Sequence, residues 1–295
     1  MGKETGIEWT DHTWNPWIGC RPVSTGCANC YMYAAQRRYG MDPADVRRVR
    51  ARTFEAPLGW KDPAKVFTCS WSDFFIEAAD PWRDEAWEIM RRTPWLTYQI
   101  LTKRPENIMD RLPGDWGDGW RNVWIGVTAE DQAAAETRIP VLLDVPAVIR
   151  FVSCEPLLGP VRLDHLIVST AWGMCCVNAL YGSIYDGVRW ARGERLDWVI
   201  CGGETGLGCR PMYQTWAFKL RNACVGHGVP FFFKQMGGPR KSSRKLGGSE
   251  WNEFPEVDPH PQPLSLEGRG EPERTEDLSL DLGDWSEKDF EETLV

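Results

Sequence analysis

Tyr98-Gln-Ile-Leu101 is a short apolar, β-prone run, and it passes directly into Thr102-Lys-Arg104. Five further runs repeat this change from apolar to polar or ionisable. Val66–Cys69 enters Ser70-Trp-Ser-Asp73. Val123–Val127 enters Thr-Ala-Glu130, and Val148–Val152 enters Ser-Cys-Glu-Pro156. Trp198–Cys201 enters Gly-Gly-Glu204, and Phe231–Phe233 enters Lys-Gln235. Helical patterns lie between most of them. One opens at Asp80-Pro81, an N-cap followed by proline at the first helical position, and runs through Trp87 and Met90. Others cover 105–112, 130–143 (interrupted by Pro140) and 215–225, the last stopping at Gly226. Strands alternating with helices every ~25–35 residues predict βαβ units and a parallel sheet. The expectation is an α/β fold, a complete or partial (β/α) TIM-like barrel. In such a barrel the C-terminal strand ends share one mouth. Six polar strand ends in register predict a single lined site there.

Two segments break the rhythm. Residues 160–195 read as an insertion, a lid or a small excursion. Residues 256–295 are rich in Pro, Glu, Asp, Gly and Ser and read as a disordered acidic tail after a barrel spanning 1–255. The net charge of −8 belongs to that tail, which carries thirteen acidic and three basic residues; residues 1–255 hold +2. The body is therefore compatible with a polyanionic substrate. No run approaches the ~20 apolar residues of a membrane span. The N-terminus lacks a signal-peptide apolar run, so a cytoplasmic location is expected.

In a reducing compartment, clustered cysteines point to metal or redox chemistry. Of the ten here, three fall within eleven residues: Cys20-Arg-Pro-Val-Ser-Thr-Gly-Cys27-Ala-Asn-Cys30. The other seven read mainly as buried fillers. A helix is predicted from Tyr31, with Gly40 as its stop, so Cys30 stands at a helix N-terminus, which favours thiolates. Three readings are open. Three thiolates can hold a [4Fe–4S] cluster and leave one iron open for a ligand. With His12 or another cysteine they can hold a structural zinc. They can also be incidental or redox thiols.

The chain resembles the radical S-adenosylmethionine (SAM) superfamily in layout. It resembles more closely an uncharacterised family of phage and bacterial three-cysteine-motif proteins, often encoded beside a separate partner protein. The matching stretches are Trp14-Asn-Pro-Trp-Ile-Gly-Cys20, Cys27-Ala-Asn-Cys-Tyr31, Ser70–Phe74 and Leu101-Thr-Lys-Arg-Pro105. They continue with Trp124-Ile-Gly-Val127, Glu155-Pro-Leu-Leu-Gly159, Trp198–Gly206, Arg210-Pro-Met212 and Phe232-Phe-Lys-Gln235. The resemblance implies a radical-SAM-type barrel with a [4Fe–4S] cluster on Cys20, Cys27 and Cys30 and S-adenosylmethionine as cofactor. It implies a 5′-deoxyadenosyl radical that abstracts a substrate hydrogen. The usual loop of that superfamily is C-x-x-x-C-x-x-C with an aromatic residue before the last cysteine. Here the first gap is six residues and Asn29 holds the aromatic position, which leaves Tyr31 as the substitute.

The remaining candidates sit at the predicted mouth. Gly202-Gly203-Glu204 looks like the Gly-Gly-Glu that contacts the SAM amino group, although there it follows the second strand, where this chain has Ser70 and Asp73. Lys103, Arg104, Arg210, Lys234 and Gln235 can bind a carboxylate or phosphate. Glu155, Glu204 and Lys103 are the candidate catalytic residues. Arg37, Arg38, Arg47, Arg48, Arg50 and Arg52 can track a phosphate backbone or form a solvated helix face. With the context of the family that the chain resembles, these arginines make nucleic acid or a nucleotide the favoured substrate; the seventeen tryptophans offer stacking surfaces but read mostly as core, and no nucleic-acid-binding motif is present. The rival reading is a zinc-stabilised, non-catalytic binding module acting through its partner protein.

Overall fold

The computed structural model describes residues 5–170, 173–240 and 242–256. The acidic segment from 257 onward and Trp172 lie outside the described residues. The apolar runs become parallel strands: β1 (His12–Trp14), β2 (Ala64–Thr68), β3 (Leu96–Thr102), β4 (Val123–Thr128), β5 (Arg150–Cys154), β6 (Trp198–Gly202) and β7 (Phe231–Gln235). Their order across the sheet is their order along the chain, and every pairing is parallel. Crossovers of one hand build such a singly wound sheet. It ends at β1 on one side and β7 on the other, so it is a seven-stranded half-barrel.

Side chains alternate across a strand with a period of two. One face carries Phe67, Gln99 and Trp124, which are successive register partners, Phe151, the partner of both Gly126 and Trp198, and Phe232, the partner of Ile200. With Trp9, Ile149 and Ile200 the apolar members form an aromatic cluster on the inner face. Gly126 belongs to this face, and the Phe151 ring lies where its Cβ would be. The other face carries Val66, Ile100, Ile125, Val152, Val199 and Phe231. These pack on Trp87 and Met90 of α2 (Asp80–Arg92), Ile139 and Leu142 of α3 (Gln132–Leu143), and Leu220 and Cys224 of α4 (Gln214–Gly226). Helix α1 (Tyr31–Arg38) follows the cysteine loop as expected, and Gly40 takes the left-handed stop with φ +68°.

Several local expectations are corrected. Asp80 is the first residue of α2 rather than its cap, because its carboxylate is drawn into ion pairs with Arg83 and Arg111. Residues 105–112 form two short 3-10 turns, Pro105–Asn107 and Met109–Arg111. Helix α3 runs unbroken through Pro140; Asp131 caps it, accepting from the Ala134 N–H at 2.9 Å. The left-handed residue after α4 is Gly228 (φ +65°), two residues beyond Gly226.

The insertion folds as its own four-stranded antiparallel sheet: Leu166–Thr170, Gly173–Asn178, Ser183–Tyr185 and Trp190–Arg192. It leans on α3, where the Ile167 N–H donates to Glu136 Oε1 at 3.2 Å. Leu163, Leu166 and Val177 extend the core beneath it. No helix among the described residues is long and apolar enough to cross a membrane.

Candidate functional site

A cavity of about 470 Å³ opens at the C-terminal ends of the strands. Its apolar floor includes Trp9, Phe67 and Leu101, and its wall includes Thr13, Thr128, Ser153 and the polar strand ends. Cys20, Cys27, Cys30, Tyr31, Ser70, Asp73, Lys103, Glu155, Gly203, Glu204 and Lys234 all line it. Gly202, Arg210 and Gln235 do not, and neither does any described residue of 160–195.

The cysteine loop is delivered by β1 and the short strand Trp17–Ile18, which pairs antiparallel with Arg47–Arg48. Gly19 makes the turn possible: it has φ +96°, and a Cβ there would lie 2.3 Å from the Asp45 carbonyl oxygen. The Cys20 N–H donates to the Pro43 carbonyl at 2.8 Å, and the Tyr33 hydroxyl donates to the Cys20 carbonyl at 2.6 Å. All ten cysteines are free thiols. Burial, reinforced by the Asp73 carboxylate, pushes the Cys20 thiol up to about 11, although Arg104 beside it pulls the other way.

Asp73 is buried and fully engaged. Its Oδ1 accepts from the Thr102 hydroxyl and the Phe75 N–H, and its Oδ2 accepts from the Lys103 N–H at 3.0 Å and Arg104 Nη1 at 3.1 Å. Arg104 continues to the loop, donating through Nη2 to the Arg21 carbonyl at 2.7 Å and through Nη1 to Cys20 Sγ at 3.7 Å. Glu204 is equally occupied. Its Oε2 accepts from Asn29 Nδ2 at 2.8 Å and from the Arg210 N–H and Nε, while Oε1 accepts from Arg210 Nη2 at 2.5 Å. Three of these four donors crowd Oε2, and Oε1 receives one. Burial opposes the charge, but the hydrogen bonds from Arg210 and Asn29 outweigh it and hold the Glu204 carboxyl at about 2.

Lys103 and Glu155 have more freedom. Lys103 Nζ meets the Thr128 hydroxyl at 3.3 Å and has no carboxylate partner among the described residues. Glu155 Oε1 pairs with Lys234 Nζ at 2.5 Å on the cavity wall. Ser70 is tied to Asn15 through its hydroxyl, and its carbonyl accepts from the Tyr31 hydroxyl at 2.5 Å. Gly203 is required by the backbone itself: a Cβ there would lie 2.1 Å from the Met236 carbonyl oxygen. His12 is on the outer face of β1, stacked on Trp60 at 4.8 Å, away from the three cysteines. Of the basic cluster, Arg47 pairs with Asp45 and Arg48 with Glu85, whereas Arg37, Arg38, Arg50 and Arg52 are exposed.

Glu130, read from the sequence only as a polar strand end, and Arg138, on which no reading fell, form a buried pair beside the cysteine loop. Glu130 is buried against Arg138 Nη1 at 2.7 Å, and the Gly26 backbone packs so closely that a Cβ there would lie 2.9 Å from the Glu130 carboxyl carbon. Burial raises the Glu130 carboxyl, but Ser24 and Arg138 together draw it below the usual carboxylate range. Glu130 ends one of the six polar transitions, so its place at the mouth is readable. Arg138 lies mid-helix with no mark in the sequence.

All three thiols line the cavity, with Arg104 beside Cys20. They do not form a ready-made cage: among the described residues no group of three His, Cys, Asp or Glu side chains is arranged to hold a metal ion. A family model described as "Protein of unknown function (DUF5131)" matches residues 4–255. The chain belongs to that family. No curated protein matches the chain, and no solved structure does. Membership in DUF5131 thus brings no assigned reaction, and the function must be read from the cavity.

Proposed function

We propose that this DUF5131 protein is an iron–sulfur enzyme of the radical S-adenosylmethionine class, with a nucleic acid or nucleotide as substrate. The observation that carries the reading is that three free thiols from one short loop line a single cavity at the C-terminal ends of a parallel half-barrel. Cys20, Cys27 and Cys30 are the residues that would hold the cluster. When bound, the cluster and S-adenosylmethionine supply one-electron cleavage of a sulfonium C–S bond and a carbon radical for hydrogen abstraction.

The chain's own residues bind, orient and exclude water. Lys103, the cavity cation without a carboxylate partner, receives a carboxylate or phosphate of the ligand. The Glu155–Lys234 pair offers a donor and an acceptor on the same wall. Trp9, Phe67 and Leu101 give the cavity a dry floor, which strengthens every charge interaction above it. Outside, exposed Arg37 and Arg38 on α1 stand next to Tyr39, a cationic and aromatic surface suited to phosphates and bases.

Anaerobic purification and reconstitution test the proposal. The expected result is a brown protein with about four irons per chain, absent in the C20A/C27A/C30A variant, that releases 5′-deoxyadenosine under reduction. A colourless protein carrying one tight zinc would replace this reading with a non-catalytic binding module.

A further inference from the structure

Three carboxylate–arginine pairs stand around the mouth, and each ends on a different part of the Cys20–Cys30 loop. Asp73–Arg104 joins the ends of β2 and β3, and its guanidinium reaches Cys20 and Arg21. Glu130–Arg138 joins the end of β4 to α3 and presses on Ser24 and Gly26. Glu204–Arg210 lies beyond β6. There Arg210 Nη1 donates to the Thr25 carbonyl at 2.8 Å, while Asn29 Nδ2 is shared between Glu204 and the Gly208 carbonyl. Both side chains of the first two pairs are less than one-tenth exposed, as is Glu204. A buried carboxylate hydrogen-bonded to a guanidinium restricts its orientation, so the remaining N–H groups are directed at the loop.

We propose that these pairs are positioning devices that hold the cysteine loop as two independently set ends. Asp73–Arg104 sets Cys20. Glu204–Arg210, acting through Asn29 and Thr25, sets Cys27 and Cys30. Glu130–Arg138 buttresses the turn between them. Glu204 acts here as a positioning residue, through Arg210 and Asn29. The inference deepens the proposed function, because the thiols so placed are those assigned to the cluster; the hold on the loop is read from hydrogen bonds in the protein alone.

The test uses residue-resolved hydrogen exchange on the metal-free full chain. In Glu204→Gln, exchange at the Cys27–Cys30 amides is expected to rise about tenfold, as for the loss of a charged hydrogen bond. The Cys20 amide should stay as in the wild type. Arg104→Gln should give the reverse. Loosening of both ends together in either folded variant, or of neither, overturns the proposal. If Glu204→Gln also opens the sheet amides, Asn29→Ala, which leaves the ion pair in place, decides by the same criterion. A second readout is cobalt(II) titration followed by thiolate-to-cobalt absorption. Glu204→Gln and Asn29→Ala are each expected to weaken cobalt(II) binding about tenfold. A loosened loop with unchanged affinity would reduce the pairs to ordinary structural contacts and overturn their positioning role. A wild-type chain that binds no cobalt(II) through its thiols would count against the proposed function, while the exchange pattern still judges the pairs.

Discussion

Gly126→Ala probes the two-faced sheet on which the site is built. An ideal Cβ at position 126 would lie 2.6 Å from three carbons of the Phe151 ring, against about 3.4 Å where ordinary contact begins. About 0.8 Å of overlap must be relieved. The ring has little room to retreat, because Phe151 is fully buried and Trp198 stacks near it at 5.7 Å. The backbones cannot part easily either, since Gly126 and Phe151 are register partners in the parallel ladder. Overpacking of this kind costs about 1–3 kcal/mol, and three simultaneous ring contacts place it at about 2–3. Urea unfolding measures it as a lowered midpoint at unchanged slope. Phe151→Leu removes the ring carbons concerned, so a double-mutant cycle should recover about 1–2 kcal/mol. A coupling near zero would mean that residue 126 does not share the inner face with Phe151. The assignment of Lys103, Thr128 and Glu155 to the cavity side would then lose its basis.

Four further outcomes are expected. Glu204 has a carboxyl held at about 2, below its ordinary 4.5, so its stabilising contribution is present above that ordinary value and is lost as pH falls from 4.5 towards 2. Unfolding measured at pH 5, 4 and 3 should show a shallower loss in Glu204→Gln than in the wild type. Gly203→Ala forces the end of β6 away from Met236 and should cost about 2–3 kcal/mol, read as a lower melting temperature, with Gly202→Ala milder because its neighbours are side chains at 3.3 Å or more. Lys103→Met should weaken S-adenosylmethionine binding to the reconstituted protein about tenfold in calorimetry, the loss of one charge-assisted hydrogen bond. Replacing Cys154, Cys201 and Cys224 by alanine should leave iron content unchanged, because all three are buried on the helix side of the sheet.

Much of the fold is legible in the chain. Six apolar runs became six parallel strands because hydrophobic patterning is a local property that survives into the sheet. Each of those runs contributes polar residues to one cavity because parallel strands share a direction, although Glu130 and Gln235 do not line it. Helix ends were less legible. Asp80 reads as a cap, yet Arg83 and Arg111, the latter 31 positions away, claim its carboxylate. The segment 105–112 has a helical pattern, yet Asn107 donates across to the Phe75 carbonyl and Glu77 and the chain forms two short turns there.

Residue type, spacing and order along the chain place three thiols within eleven residues at the rim of a singly wound parallel sheet. Long-range folding settled what each charged group does with its charge. Glu204 and Asp73 look like free mouth carboxylates in one dimension, but guanidinium and amide donors from Arg210, Arg104 and Asn29 engage them in three. Lys103, with the same strand-end signature, keeps its ammonium available. The distinction depends on hydrogen bonds between residues up to 175 positions apart, and such partners leave no trace in local pattern.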